Sequence, residues 1–111
     1  MRLNEAQIAE HDRRGLLFFS SLLQDGEVVE LQETLPDILG REGPEIIREK
    51  EDPAAVRLAF GAHIYSEPFS RLIRHPKILE PVRQLLQDDV YLHQSRINPK
   101  QGFGGGAAWD W

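Results

Sequence analysis

Apolar and polar positions in the first third of the chain indicate two helices. The first is predicted over Glu5–Arg14, as an amphipathic helix with His11 on its exposed side. Asn4 is expected to cap it, because an asparagine side chain can accept a hydrogen bond from a free backbone N–H in the first turn. Gly15 is expected to end it. A second helix is predicted from about Asp25, as its cap, to Gly40.

Proline positions mark the helices in the second half of the chain. Residues 66–68 contain Pro68 directly after Ser66-Glu67, which is typical of a helix start. The His75-Pro76 pair is expected to break that helix, since a residue before proline avoids the helical region. A further helix is predicted over residues 80–86, and residues 61–65 are expected to form a loop.

Short apolar or alternating runs predict the strands. These runs cover residues 16–19, 45–50 (as an edge strand), 54–60 and 90–98. In residues 54–60 the alternation places Val56, Leu58 and Phe60 on one side and Arg57 on the other. Residues 109–111 have the pattern of a strand that is cut off. The element order therefore predicts an α+β fold with helices on one side of a sheet.

Composition narrows the class of protein. With 111 residues, the chain is expected to form one domain over 1–111. A net charge of −5 and the lack of a basic stripe argue against nucleic-acid binding. No segment approaches the roughly 18 apolar residues of a membrane span. The polar start at Met1 argues against a signal peptide and for a true N-terminus. The absence of cysteine fits a cytoplasmic protein.

The strand over residues 90–98 carries the strongest candidate site. Alternation along a strand puts Gln94, Arg96 and Asn98 on one face, after the apolar Val90 and Leu92. An apolar floor with a polar mouth is typical of a pocket wall, and a guanidinium suits a carboxylate or phosphate. The alternative is a polar strand end that faces water.

Other candidate motifs are weaker. The glycine-rich residues 102–106 lack the Gly-Lys-Ser/Thr ending of a phosphate-binding loop and are interpreted as a flexible connection or a mobile lid. The four histidines show no metal-ligand spacing. His63 is the histidine expected near a sheet edge. His75 is interpreted only as the residue before Pro76, where a helix ends. No catalytic residue is assigned.

The sequence around this strand resembles a known family. His93-Gln94-Ser95-Arg96-Ile97-Asn98, Gly102-Phe103 and Trp109-Asp110-Trp111 are similar to the phytanoyl-CoA dioxygenase family. These are non-haem iron, 2-oxoglutarate-dependent oxygenases, and the closest resemblance within the family is to ectoine hydroxylases. The resemblance spans nearly the whole chain, but it is less specific before Pro53.

The resemblance implies a fold, cofactors and roles. The fold would be the N-terminal helices and first strands of a double-stranded β-helix (jelly-roll or cupin-like) oxygenase, incomplete at its C-terminus. Arg96, Asn98 and Trp109 would bind 2-oxoglutarate, and Gln94 would bind a small-molecule substrate. The His-x-Asp pair that holds Fe(II) in this family would follow Trp111, so no metal ligand is expected in this chain.

Several hypotheses of function follow. The first is the N-terminal part of an iron(II)/2-oxoglutarate-dependent dioxygenase that hydroxylates a small polar molecule, ectoine- or amino-acid-like. A related halogenase is an alternative, because the residue that separates the two chemistries would lie after Trp111. Others are a non-catalytic binding or interaction module of this fold and a structural domain that pairs through its last strand. Homodimer formation is left open.

Overall fold

The structure is a computed structural model that describes residues 2–100. Its described elements, in chain order, are α1 (Glu5–Arg14), α2 (Asp25–Leu39), β1 (Ile46–Arg48), β2 (Val56–Phe60), α3 (Ala62–Tyr65), α4 (Glu67–Ile73), α5 (Pro76–Leu86) and β3 (Arg96–Ile97). Helices and a small antiparallel sheet make up this part of the chain, which agrees with the predicted α+β class.

Helix α1 begins and ends as its sequence predicts. The Asn4 side chain accepts a hydrogen bond from the Gln7 N–H at 2.8 Å, and the Gln7 side chain accepts one from the Asn4 N–H at 2.9 Å. This reciprocal pair is a capping box. At the other end Gly15 has φ +76° and donates its N–H to the His11 carbonyl at 2.7 Å. A left-handed residue of this kind is inexpensive only as glycine.

Strand β2 lies at the centre of the three-stranded sheet. It pairs antiparallel with β1 on one side and with β3 on the other. Ala59 is the partner of both Ile46 and Ile97, so these three residues form one row across the sheet. The predicted edge strand at 45–50 is confirmed as the shorter β1. The predicted strand at 90–98 is too long, because only Arg96–Ile97 joins the ladder.

A β-bulge in β2 changes the predicted faces of the strand. Ile47 pairs with Leu58, but the next residue of β1, Arg48, pairs with Val56, which leaves Arg57 as an extra residue. Val56 is therefore buried on the same side as Ala59. The predicted grouping of Val56 with Leu58 and Phe60 is wrong, because the extra residue shifts the alternation by one.

The core lies between one face of the sheet and three helices. Its buried residues are Ile38 of α2, Ile46, Val56 and Ala59 of the sheet, and Ala62 of α3. Leu39, Tyr65, Phe69 and Ile97 pack against this cluster while remaining partly exposed. Helices α2, α3 and α4 therefore cover the face of the sheet on which the Ala59 row lies.

The segment at 16–19 is not a strand. None of its residues pairs with another strand in the described part of the chain. Leu17 and Phe19 are half-buried, whereas Leu16 and Phe18 are exposed. Leu16, Leu17 and Phe19 line an apolar groove with Ile78 and Leu85 of α5. The apolar run therefore lies against a helix and does not pair within a sheet.

Three further local predictions need correction. Residues 61–65 contain the short helix α3, which follows a left-handed Gly61 with φ +67°. Helix α5 begins at Pro76, four residues before the predicted start, because Pro76 occupies the first turn and His75 caps it. Helix α2 has Gln24 as its N-cap residue, and Asp25 is already helical. The predicted Gly-rich loop at 102–106 and strand at 109–111 lie outside the described residues.

Candidate functional site

Gln94, Arg96 and Asn98 share one side of the chain around β3. All three are exposed, whereas Ser95 and Ile97 between them are half-buried. Ile97 packs against the core cluster. In an extended chain, side chains alternate between faces, so the three polar side chains point away from that core. The structure thus brings these three predicted site residues together on one side, and Trp109 lies outside the described residues.

The face of the sheet opposite the core is partly apolar. Arg96 is the cross-strand partner of Phe60, and Leu58 shares the face of Phe60 because it lies two residues earlier. Leu58 and Phe60 are half-buried, and Ile47, the partner of Leu58, is 38% exposed. This face therefore has apolar side chains on β1 and β2 and polar side chains on β3, which is the composition of a small-molecule site.

Ser95 is held from two directions. Its carbonyl accepts the N–H of Gly61 at 3.0 Å. Its hydroxyl lies 2.7 Å from Nδ1 of His63, which belongs to α3. Sequence reasoning placed His63 near a sheet edge but did not find this contact, because the two residues are 32 positions apart and no spacing rule connects them.

Arg96 places a positive charge on the face of the sheet opposite the core. Its guanidinium makes no hydrogen bond or ion pair with another residue in the range 2–100. A guanidinium presents a planar fork of N–H donors that matches a carboxylate. Asn98 adds an amide that can both donate and accept. Together these groups can bind one end of a dicarboxylate ligand.

Tyr65 supports this region from the core side. Its hydroxyl donates a hydrogen bond to the Phe60 carbonyl at 3.0 Å, and the Arg41 guanidinium lies 3.8 Å from the centre of its ring. Burial raises the pKa of the Tyr65 hydroxyl, while the positive charge of Arg41 opposes the rise and the carboxylate of Glu45 adds to it. Tyr65 is therefore neutral at physiological pH and acts as a hydrogen-bond donor.

A second polar cluster joins α2 to α4 and α5. His75 Nδ1 accepts the N–H of Lys77 at 3.2 Å, so its Nε2 carries the proton that is shared with Glu27 at 3.1 Å. Arg71 pairs with Glu30 beside it. Glu27, Glu30, Arg71 and His75 line a cleft of about 160 Å³. His75 thus does more than precede a proline, since it caps α5 and ties α5 to α2.

The described residues do not fit an iron site. Between residues 2 and 100, no group of three or more histidine, cysteine, aspartate or glutamate side chains is placed to hold a metal ion. A 2-His-1-carboxylate centre needs such a group. The part of the chain that the structure describes can therefore contribute contacts to an organic ligand, but no set of metal ligands.

None of the helices between residues 2 and 100 is both long enough and apolar enough to span a bilayer.

Comparison with known proteins reveals clear relatives in sequence. Ectoine dioxygenase of Bordetella bronchiseptica is 36% identical over 108 residues, which is 93% of this chain and 34% of that protein. L-proline trans-4-hydroxylase of Streptomyces griseoviridis is 36% identical over 101 residues, which is 91% of this chain and 37% of that protein. No protein-family model matches the chain. The chain spans about a third of the length of these relatives.

The fold has close counterparts among solved structures. The crystal structure of EctD from S. alaskensis with bound Fe superposes with a TM-score of 0.84 at 31% identity, over 93% of this chain and 38% of that one. The structure of the same protein with 2-oxoglutarate and 5-hydroxyectoine matches equally well. The fold is thus that of the N-terminal part of a cupin-like oxygenase, as predicted.

Within that class, sequence and structure both point to one group. Over the matched segment, the chain is homologous to ectoine hydroxylase-like, iron- and 2-oxoglutarate-dependent oxygenases. The resemblance predicted from residues 93–98 is therefore confirmed.

Proposed function

We propose that this chain is the N-terminal part of an iron(II)/2-oxoglutarate-dependent dioxygenase that hydroxylates a small polar molecule. The observation that carries the proposal is the match in sequence and fold over 93% of the chain to ectoine dioxygenase and EctD. The similarity to L-proline trans-4-hydroxylase widens the substrate class from ectoine to amino-acid-like molecules. Both kinds of substrate are small and polar.

Arg96 and Asn98 are the proposed 2-oxoglutarate-binding residues in the described part of the chain. They are exposed on one side of the chain at β3, and the Arg96 guanidinium has no partner between residues 2 and 100. A charge-assisted, two-point contact to a carboxylate would both hold and orient the cosubstrate. Trp109, which lies outside the described residues, is proposed as an aromatic contact to the same molecule.

Gln94 is the proposed substrate-binding residue. It lies two positions before Arg96 on the same side of the chain, so a ligand held by Gln94 would be a neighbour of the cosubstrate. Its amide can donate to a carboxylate and accept from an amine. This dual capacity suits a zwitterionic substrate such as ectoine or an amino acid.

In the complete enzyme, we propose that different parts of the protein bind the organic ligands and the iron, because residues 2–100 contain no fitting metal site. In the proposal, this chain binds and orients the organic ligands, and Leu58 and Phe60 limit access of water to them from the sheet side. The iron ligands are supplied by residues outside the described part. In this proposal residues 1–111 form a single domain, which is the N-terminal part of the oxygenase fold. The protein is cytoplasmic and can form a homodimer.

The test is turnover by the complete protein that contains this chain. With Fe(II), 2-oxoglutarate and oxygen present, succinate is expected to form together with a hydroxylated product from ectoine or L-proline, and omission of Fe(II) is the matched control. A chlorinated product in the presence of chloride would favour the halogenase instead. Absence of succinate with every substrate would contradict the proposal and leave the non-catalytic module.

A further inference from the structure

The stretch that carries the proposed ligand contacts is weakly held by the sheet itself. Residues 90–95 belong to no strand, and β3 consists of Arg96 and Ile97 alone. Arg96 is placed by its pairing with Phe60. Gln94 precedes the ladder, so cross-strand pairing does not fix its position.

Ser95 is the fixed point between these two residues. Its carbonyl is bound by the Gly61 N–H at 3.0 Å and its hydroxyl by His63 Nδ1 at 2.7 Å. A residue that is held through both its backbone and its side chain has little freedom in φ and ψ. Because neighbouring side chains in an extended chain project to alternate faces, the orientation of Ser95 sets the direction of Gln94.

We propose that His63 is a positioning residue, which holds Ser95 and thereby points Gln94 toward the substrate. This inference rests on the proposed function for its ligand, but the anchoring of Ser95 by His63 is a property of the fold alone. His63 is itself fixed, since α3 packs against the core through Ala62 and Tyr65. The left-handed Gly61 allows β2 to turn directly into α3, which brings His63 over Ser95.

Substrate binding and cosubstrate binding are expected to respond differently to loss of the His63 contact. Loss of the His63 contact frees Gln94, whereas Arg96 remains paired with Phe60. In the complete protein, His63→Ala is expected to raise KM for the primary substrate by about five- to tenfold, in the range of one lost hydrogen bond. KM for 2-oxoglutarate is expected to change by less than about twofold.

Four further variants test this hydrogen bond directly. His63→Asn is expected to restore most of the substrate KM, because an asparagine amide places a polar atom where Nδ1 lies. Ser95→Ala is expected to match His63→Ala, and the double variant to be no worse than either, since both remove the same bond. His75→Ala is the matched control: it deletes another partly buried histidine with a side-chain partner, Glu27, and is expected to leave both KM values unchanged.

Three kinetic results would overturn the inference. Equal increases in both KM values would mean that His63 has no selective effect on the substrate side, and additive effects of the two single variants would mean that His63 and Ser95 act independently. Failure of His63→Asn to improve on His63→Ala would show that the hydrogen bond itself is unimportant.

A second measurement does not depend on turnover. Hydrogen exchange of the complete protein is expected to be at least about fivefold faster in the peptide that covers residues 94–97 for His63→Ala than for wild type or His75→Ala. Unchanged exchange there would overturn the inference. If the wild-type protein forms no succinate, the proposed function fails, yet the exchange experiment still decides whether His63 anchors this segment.

Discussion

Phe60 lies directly across from Arg96 in the antiparallel pair formed by β2 and β3. The two side chains therefore share the face of the sheet opposite the Ala59 row. A guanidinium beside an apolar side chain is less accessible to water on that side, which strengthens its hydrogen bonds to an anion. This pairing distinguishes Arg96 from the arginines on the outer surfaces of the helices.

Replacement of Arg96 tests its assignment to 2-oxoglutarate. In the complete enzyme, Arg96→Ala is expected to weaken 2-oxoglutarate binding by about 10- to 100-fold, because the carboxylate loses charge-assisted bonds. The primary substrate is expected to bind with nearly wild-type affinity. Titration calorimetry measures both, and Arg74→Ala, at an exposed ion pair with Glu67, is the control. Unchanged cosubstrate affinity would refute the placement.

The isolated 111-residue chain is expected to produce no succinate from 2-oxoglutarate, even with excess Fe(II). The reason is that residues 2–100 bring no group of three metal-binding side chains together. A coupled succinate assay compares this chain with the complete protein at equal concentration. Iron-dependent turnover by the 111-residue chain would contradict the proposed division of labour.

The capping box of α1 provides a test of local stability. Asn4→Ala is expected to lower the free energy of unfolding by about 1 kcal/mol, because it leaves the Gln7 N–H without its cap. Gln24, the N-cap residue of α2, makes no side-chain capping bond, so Gln24→Ala is expected to change stability by less than about 0.5 kcal/mol. Urea unfolding compares the two variants, and equal effects would contradict the assignment.

Ala59 tests the packing of the core. It is fully buried, with 0% exposure, in the row formed with Ile46 and Ile97. Ala59→Leu is expected to destabilise the fold by about 1–3 kcal/mol, because added methylene groups have no space to enter. Ala54→Leu, at an exposed position before β2, is the control. The midpoints of urea unfolding are compared for the two variants and wild type. An unchanged midpoint for Ala59→Leu would show that the core beside the sheet is loosely packed.

Tyr65 makes a prediction about alkaline pH. Its pKa is raised in the folded chain by burial, with Arg41 opposing and Glu45 adding to the rise. The unfolded chain therefore releases the proton first as pH rises through about 10, so this contribution to stability is full below that pH and is lost above it.

The matching experiment compares wild type with Tyr65→Phe. At pH 8 the variant is expected to be less stable by about 1 kcal/mol, since it loses the hydrogen bond to the Phe60 carbonyl. Above pH 10 the two unfolding free energies are expected to converge. Tyr91→Phe, at a side chain that is 86% exposed, serves as the control. A constant difference across the pH range would argue against the raised pKa.

Local signals in the sequence predicted some elements well. Helix α1 could be predicted to the residue, because Asn4 and Gly15 fix its ends through contacts within a few positions. The alternation around Arg96 was also predictable, since it depends only on an extended backbone. The roles of Gln94, Arg96 and Asn98 remain predictions.

Features that depend on distant partners were not predictable in the same way. The segment at 16–19 has a strand-like pattern, but most of its apolar side chains line a groove beside α5. Only Ala59 and Phe60 of β2 pair with β3, and the alternation over residues 90–98 does not show where that pairing begins and ends. The contact between His63 and Ser95 exists only once α3 has been placed beside β3, and no local pattern signals it.

The bulge at Arg57 fixes the number of residues that β2 must contain between Val56 and Ala59. Val56 and Ala59 are three residues apart yet both are buried in the core, which an unbulged strand cannot achieve. Deletion of Arg57 would turn Val56 toward the opposite face or pull Phe60 out of step with Arg96. Any relative that keeps both the core and the pairing of Phe60 with Arg96 must therefore carry a residue at this position, whatever its side chain.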